Sequence, residues 1–542
     1  MLARLTSSIP YEDVAAGARF LWSLPGFLRR PISVDEARAT LRRRFERREP
    51  DFLALAKRAA YGHATSPYRQ LLELAGCEYG DLERLVCQEG IEGALDTLYR
   101  EGVYLTVDEL KGRRPTVRGS ATIAVDLARL RNSRSASHLP TQSSGSRGMP
   151  TDLVIDLAVI RDRAVNLCLA FDARGGATWR HALWAVPGGA TIARLLEYSS
   201  FDGPPVRWFS QVDPAGLGLH ARYRWSGRAM RWGSLLAGVP LPVPRYIPLD
   251  DPLPIADWMA GILRGGGTPH LHTFASPAVR LCRAARDARL DLRGARFTLT
   301  GEPVTESRQA VVSAVGGESA VRYGTNECSA IGYGCLEPEA PDDIHLFHDL
   351  YALIQPGQDA RSGLPPRALL VSALRPTSPL FLLNVSLGDQ GELVRRACGC
   401  PLERLGWTMH LHTIRSFEKL TAGGMTFPDP DIIRVLEVVL PARFGGGPTD
   451  YQLLEEEAED GQARLRLLVH PAVGPLDAEA AADAFLAAIG GGSGIERVMA
   501  LQWRESQVLR VERRAPLTTA SGKILHLHQQ RRSSNGRPDP AH

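Results

Sequence analysis

Ser276-Pro277-Ala278-Val279-Arg280-Leu281-Cys282-Arg283-Ala284-Ala285-Arg286-Asp287-Ala288-Arg289-Leu290 reads as one helix. Shortly after it, Phe297-Thr298-Leu299-Thr300 runs as a short apolar strand into Gly301-Glu302-Pro303. Helical patterns alternate with apolar runs in this way from about residue 152 to 345, and that alternation predicts α/β layering. Upstream, the first hundred residues or so look helical. Ser33 followed by Glu36 is a capping-box signal before an arginine-rich helix that Pro50 is expected to end, with Asp51 to Tyr61 opening another. Downstream the texture changes near 410–428, around Gly423-Gly424 and Phe427-Pro428. Beyond that change the chain offers strands at Tyr451 to Leu454 and Arg464 to Val469, a helix at Asp477 to Ile489, and strands at Val498 to Trp503 and Val508 to Val511. Gly445-Gly446-Gly447 and Gly490-Gly491-Gly492 read as surface turns, and Gln529 to His542 as a polar, disordered tail.

The chain has 542 residues, enough for two or more domains and a large core. A formal net charge of +4 excludes a dedicated nucleic-acid binder, which concentrates a basic stripe. The run from Arg42 to Arg48 reads as the solvated face of a helix. No apolar stretch reaches the roughly 18 residues that span a bilayer, and Met1 to Tyr11 lacks a signal-peptide layout. A cytoplasmic, reduced setting with no membrane partner is expected. The eight cysteines are too sparse for a disulfide scaffold. Lysine stands at only four positions (57, 111, 419 and 523), against 64 basic residues in all. Lys523 ends Pro516-Leu517-Thr518-Thr519-Ala520-Ser521-Gly522-Lys523. A compact ammonium kept beside glycine, in a chain that otherwise uses arginine, suggests a position that needs a point charge.

Three further segments carry chemistry. Ser143-Ser144-Gly145-Ser146-Arg147-Gly148-Met149-Pro150-Thr151 packs hydroxyls and glycines, whose N–H and O–H groups suit an anion. Taken alone it also reads as a flexible linker, and it has no lysine for a Walker loop. Tyr323-Gly324-Thr325-Asn326-Glu327 offers an aromatic face for a base and a carboxylate for Mg²⁺. Gly388-Asp389 follows the apolar Pro379-Leu380-Phe381-Leu382-Leu383 and puts a carboxylate where ribose hydroxyls can donate to it. The latter two also read as ordinary turns when taken singly.

In this order, over about residues 50 to 525, these segments resemble the adenylate-forming superfamily of acyl-CoA synthetases, non-ribosomal peptide adenylation domains and luciferases, and within it the phenylacetate–CoA ligase branch. The resemblance implies a large N-terminal AMP-binding region, residues 1–414, of several α/β subdomains with mixed sheets. A small α/β lid follows at 415–528. It implies that Ser143, Ser144, Gly145, Ser146, Arg147 and Gly148 wrap the ATP phosphates. Gly301, Glu302, Pro303, Tyr323 and Gly324 would line the adenine site. Glu327 would hold Mg²⁺, Asp389 and Arg415 would contact the ribose, and Lys523 would be the adenylation lysine. Ile414-Arg415-Ser416-Phe417-Glu418-Lys419 resembles the hinge. Arg147, Asn326, Asn384 and the hinge position at Glu418 or Lys419 depart from the pattern. Members of that branch also carry a cysteine, a Leu-His-Ile-like segment and a Cys-x-Cys. By that likeness Cys335, His345, Cys398 and Cys400 form a candidate Zn²⁺ set, with Cys328 as a rival ligand and unligated cysteines as the alternative. Cys77, Cys87, Cys168 and Cys282 are expected to serve packing.

The activity implied is ATP-dependent activation of a small-molecule carboxylic acid, aryl or acyl, to acyl-AMP. Transfer to a thiol follows, with coenzyme A the expected acceptor and the lid turning between the two steps. A carrier protein or amine acceptor, or a weak nucleotide-binding homologue, is the alternative. The acid pocket is expected around His270 to Ser276 and Cys328 to Gly334.

Overall fold

The computed structural model describes residues 11–132, 139–142, 152–201, 203–213, 230–358, 362–417, 421–422, 425–426, 429–457, 463–489, 509–519 and 522–530. The segment from Ser276 onward folds much as its pattern predicts. A helix spans Ala275–Asp287, ending earlier than Leu290 because Arg289 adopts φ 56° and turns the chain out. A strand follows at Arg296–Thr300.

That strand belongs to a twelve-stranded mixed sheet. In chain order its strands are β1 (Trp179–Trp184), β2 (Arg207–Ser210), β3 (Pro244–Tyr246), β4 (Thr268–Phe274), β5 (Arg296–Thr300) and β6 (Glu318–Thr325). Then come β7 (Ser329–Gly334), β8 (Ile344–Leu346), β9 (Tyr351–Ile354), β10 (Ala368–Ala373), β11 (Val385–Arg395) and β12 (Met409–Ser416). Their order across the sheet is β3-β2-β1-β4-β5-β6-β7-β8-β12-β11-β10-β9. The first six are parallel and the remainder pair antiparallel. Winding runs outward from β1 to β3, then restarts at β4 on the other side of β1. Such a reversal opens a crevice at the carboxyl ends of the strands, where ligands bind in open α/β sheets. β4 and β5 are buried along almost their whole length, as parallel strands covered on both faces are, although they carry His270, His272, Thr273, Thr298 and Thr300 among their apolar residues.

Seven described α-helices precede this sheet: Tyr11–Leu28, Val34–Glu46, Arg48–Ala56, Pro67–Leu74, Tyr79–Arg100, Val107–Leu110 and Leu157–Asp172. Ser33 caps the second through a bond from the Glu36 N–H at 3.2 Å. Pro50 does not end that helix. The break falls at Arg47, and Pro50 lies in the first turn of the next helix, where a missing N–H costs nothing.

A separate four-stranded sheet lies C-terminal, ordered β15-β14-β13-β16, from β13 (Tyr451–Glu457), β14 (Ala463–Val469), β15 (Leu509–Arg513) and β16 (Leu527–Gln530). A helix at Ala478–Ile489 packs against it. The fold is thus α/β, a large mixed-sheet region followed by a small α/β sheet. Two hydrophobic cores correspond to the two sheets, one with members from Phe20 to Ile414 and one from Ile432 to Leu527. Gln529 and Gln530, expected in a disordered tail, belong to β16, paired with Glu455 and Glu456. The expected strand at Val498 to Trp503, the turn at Gly490-Gly491-Gly492 and the rest of the tail lie outside the described residues. No described helix is long and apolar enough to cross a membrane.

Candidate functional site

Phe274, Thr300 and Arg322 stand abreast in the register of β4, β5 and β6, so the residues that follow them emerge together at the carboxyl edge. Gly301 takes φ +73°, a conformation that L side chains rarely adopt. A Cβ there would meet the Phe274 ring at 2.7 Å and Lys523 Nζ at 3.0 Å. Lys523 Nζ stands 4.7 Å from the Phe274 ring centroid, within cation–π range. The lysine expected from the far end of the chain therefore lies at the turn after β5.

The loop that carries Lys523 is built locally and anchored across the domain seam. Thr519 accepts from the Lys523 N–H through its Oγ1 at 3.2 Å and donates its own N–H to the Lys523 carbonyl at 2.9 Å. The Ile524 N–H donates to Glu302 Oε1 at 3.0 Å, and the other Glu302 oxygen accepts from the Ser276 N–H at 2.8 Å. Glu302 was expected to line an adenine site. Its buried carboxylate engages Ser276 and Ile524 and lies 3.5 Å from Arg308 Nη1. Behind it, Arg308 Nε donates to Glu437 Oε1 at 2.8 Å, His526 Nε2 lies 2.6 Å from the same oxygen, and the Thr305 hydroxyl donates to Oε2. Burial pushes the Glu437 carboxyl up, but the Arg308 charge and the His526 and Thr305 bonds outweigh it and hold it down to about 2. At the rim of the seam, Arg283 grips Asp450 with two bonds of 2.8 Å.

The second half of the site lies beyond β6. The Tyr323 hydroxyl donates to Asp389 Oδ2 at 3.0 Å, so two expected nucleotide residues, 66 positions apart, meet. Burial, then the Asp389 charge, pushes the Tyr323 phenol well up, so it remains a donor. Gly324 closes the turn into β7, where a Cβ would fall 1.7 Å from the Ser329 carbonyl oxygen. Glu327, on the same turn, is 9% exposed. Arg415, expected at the ribose, donates to Asp342 Oδ2 at 2.7 Å. Asp342 also accepts the N–H groups of Thr413 and Ile414 at 2.8 Å each, which supports Thr413 at φ 53°. Asn384, a departure from the family pattern, is a buried brace whose amide donates to the carbonyls of Leu95 and Val103. Ser143 to Gly148, Glu418 and Lys419 lie outside the described residues.

In the acid-pocket region, His272 is buried, with Nδ1 2.9 Å from the Tyr198 hydroxyl and Nε2 without a hydrogen-bond partner. Nearby in the register, Arg322 and Glu197 form a buried ion pair at 2.9 Å. Phe274 underlies the lysine.

A second cluster lies where β7, β8 and β12 adjoin. One ligand atom each from Cys335, His345, Cys398 and His410 all fall within 4.8 Å of one another. The expected set held Cys400 in place of His410. Cys400 Sγ is 3.1 Å and Cys398 Sγ 3.6 Å from His345 Nε2, so Cys400 borders the set. Cys328 is not a rival: its carbonyl accepts from Arg163 and Tyr351, its N–H donates to Thr325 Oγ1 at 3.1 Å, and its thiol lies outside the group. Cys77, Cys168 and Cys282 are buried as packing residues, whereas Cys87 is exposed and does not pack. Sequence reasoning missed His410 and Asp342. The signal was available in Met409-His410-Leu411-His412, which alternates polar and apolar residues on the strand leading to Arg415.

No protein-family profile matches the chain, and no curated protein matches it. Solved structures do. ATP-bound MatB from Rhodopseudomonas palustris is similar at 14% identity and TM-score 0.40, over 74% of this chain and 68% of that one. O-succinylbenzoate coenzyme A synthetase (MenE) from Bacillus subtilis, in complex with ATP and magnesium ion, is similar at 15% and 0.42, over 72% and 69%. The anthranilate CoA ligase AuaEII, in complex with anthranoyl-AMP, is similar at 11% and 0.41, over 85% and 79%.

Proposed function

We propose that the protein activates a carboxylic acid with MgATP and passes the acyl group to a thiol. The observation that carries this reading is the seat of Lys523 at the Gly301 turn and the Phe274 ring, on the carboxyl edge of the parallel strands. An ammonium held there suits a reaction in which negative charge builds on phosphate oxygens.

In the first step one oxygen of the substrate carboxylate bonds to the α-phosphorus of ATP. The bond from that phosphorus to the bridging oxygen breaks, and pyrophosphate leaves. Lys523 neutralises the approaching carboxylate and the α-phosphate oxygens. Asp389 accepts from ribose hydroxyls, Tyr323 and the Gly301–Pro303 turn bound the base, and Ser143 to Gly148 embrace the phosphates. Mg²⁺ supplies further charge neutralisation, with Glu327 the carboxylate that would hold it. Positioning and charge do the chemistry, with no covalent intermediate on the protein. In the second step a thiolate attacks the acyl carbon and AMP departs. Coenzyme A is the proposed acceptor. The substrate is an aryl or acyl acid, and Lys523 withdraws when the small domain turns about the segment after Arg415.

Lys523→Ala tests the reading. Acid-dependent ATP–pyrophosphate exchange is expected to fall by about 10²–10³-fold, while thioester formation from supplied acyl-AMP continues. Exchange at the wild-type rate would remove Lys523 from the adenylation step. A pyrophosphate-release screen over aryl, fatty and amino acids, with and without coenzyme A, identifies acid and acceptor.

A further inference from the structure

We propose that the acid activated here is a dicarboxylic acid: one carboxylate meets Lys523, and the other is held by Arg194 and His272 at the inner end of the acid site. This substrate class presupposes the acid activation proposed above.

The register of the parallel strands sets the path. Phe274 and His272 are two residues apart on β4, so both side chains point to one face of the sheet, about 7 Å apart. The same face carries Thr298 of β5 and Arg322 of β6. Lys523 Nζ lies over the Phe274 ring. An acid whose reacting end lies at that ammonium, and whose body follows the face inward, arrives beside His272. A helix at Gly189–Ser199 covers this stretch. Its Tyr198 hydroxyl lies 2.9 Å from His272 Nδ1, and its Glu197 pairs with Arg322 at 2.9 Å. Arg194 precedes Glu197 and Tyr198 by three and four residues, so the three share one side of the helix.

Polar atoms in this stretch lack partners. Arg194 Nη1 and His272 Nε2 are both buried and make no hydrogen bond. Arg322 Nε and Glu197 Oε1 are also unpaired, but they are the second arms of one existing ion pair, and a guanidinium–carboxylate fork satisfies both. Arg163, the third guanidinium here, donates to the Cys328 carbonyl at 3.1 Å and leaves its Nε unpaired. Glu197 is committed to Arg322, so Arg194 has no carboxylate of its own. Burial, then the Arg194 charge, holds the His272 imidazole well below its ordinary value, so the ring is neutral. Burial pushes the Tyr198 phenol well up, so its hydroxyl donates to Nδ1 and the ring proton sits on Nε2, ready to be donated. Arg308, equally buried against the small domain, is answered within the chain by Glu437 and Glu302. A buried donor left unmet is costly, and a charged one more so. A ligand carboxylate accepts from both Arg194 and His272 and removes that cost; an alkyl or plain aryl end does not.

The test measures pyrophosphate release by the full-length protein with MgATP. The probes are a graded series of straight-chain diacids and the benzenedicarboxylic acids, each beside the monocarboxylic acid in which a methyl group replaces the second carboxyl. The wild type is expected to favour its best diacid over the methyl counterpart by about 10²-fold or more in kcat/KM. Arg194→Met should lower kcat/KM for the diacid by a similar factor, through KM, and bring the diacid-to-monoacid ratio toward one. Arg194→Lys should restore part of that ratio. Wild-type turnover of the monoacids that equals or exceeds that of the diacids overturns the proposal. So does a hydroxy-substituted monoacid that outperforms every diacid, or a wild-type ratio in Arg194→Met. The wild-type preference decides even if a variant fails to fold. Calorimetric binding of the same diacids, with and without a non-hydrolysable ATP analogue, separates this proposal from the activation reading. Protein that releases no pyrophosphate with any acid, yet binds a diacid in an Arg194-dependent manner, refutes activation and keeps the dicarboxylate site. Failure to bind any diacid in either condition overturns the site.

Discussion

Among the described residues, two ion pairs cross the seam between the small domain and the large one, Arg308–Glu437 and Arg283–Asp450. Arg308 and Glu437 are each 1% exposed, whereas Arg283 is 26% exposed and its partner Asp450 5%. The buried pair is tied into a network with Thr305 and His526, and Arg308 also approaches Glu302. A buried pair adds little over an apolar contact while whole, yet removing one partner strands the other in a dry place. A rim pair is screened and weak. The buried pair thus behaves as an all-or-none closure and the rim pair as a guide. Thr305 and Arg308 lie shortly after the Gly301–Pro303 turn, and His526 follows Lys523 by three residues, so under the proposed domain motion closing the seam and seating the ammonium would be coupled.

The strongest way to break this contrast is Glu437→Gln. Loss of the charge facing Arg308 is expected to weaken docking of the small domain by about 3–5 kcal/mol. A fluorescence pair spanning the two domains should report separation, and pyrophosphate exchange should fall with it. An unchanged inter-domain distance would show that the buried pair does not govern closure. Gly301→Ala comes next. Its Cβ would press on Phe274 and Lys523 with the backbone at positive φ, and a displacement of this kind is expected to cost about 10²-fold in exchange rate. Stopped-flow nucleotide binding checks that ATP still enters.

Acid sharpens the comparison further. The Glu437 carboxyl is held at about 2 when docked, against an ordinary 4.5. Its contribution to docking is therefore complete above about pH 4.5 and is lost as pH falls from there toward 2. The wild-type seam should loosen in that window, and Glu437→Gln should show no such pH dependence; equal slopes in the two proteins would contradict the assignment. The smallest effect is reserved for Arg283→Ala, about 1 kcal/mol or less and diminishing with salt. A loss as large as that of Glu437→Gln would erase the distinction between rim and interior.

What the sequence disclosed, and what it withheld, follows from how each interaction is encoded. Phe297 to Thr300 and the helix before it were legible because apolar period and length are local properties. Lys523 stood out through composition; Tyr323 and Asp389 read as turn residues at strand ends, yet both lie within strands, β6 and β11, where they share a hydrogen bond. Pro50 misled because proline ends one helix and opens the next with equal ease. Glu437 and Arg308, separated by 129 residues, carry no local signature; only the docking of two cores brings them together. His410 went unnoticed because a Cys-x-Cys is conspicuous in one dimension, whereas His410 joins Cys335 and Cys398 only through strand pairing.

Strand β12 has one more consequence. It is pinned near its start by His410 on Asp343 and near its finish by Asp342 on Thr413, Ile414 and Arg415, and the Phe417 N–H is still tied to the Gly388 carbonyl at 3.1 Å. A lever needs a fixed post, and this strand is one. A swing of the small domain of the kind proposed would have its fulcrum beyond Phe417 and would leave the Asp389 segment of β11 undisturbed.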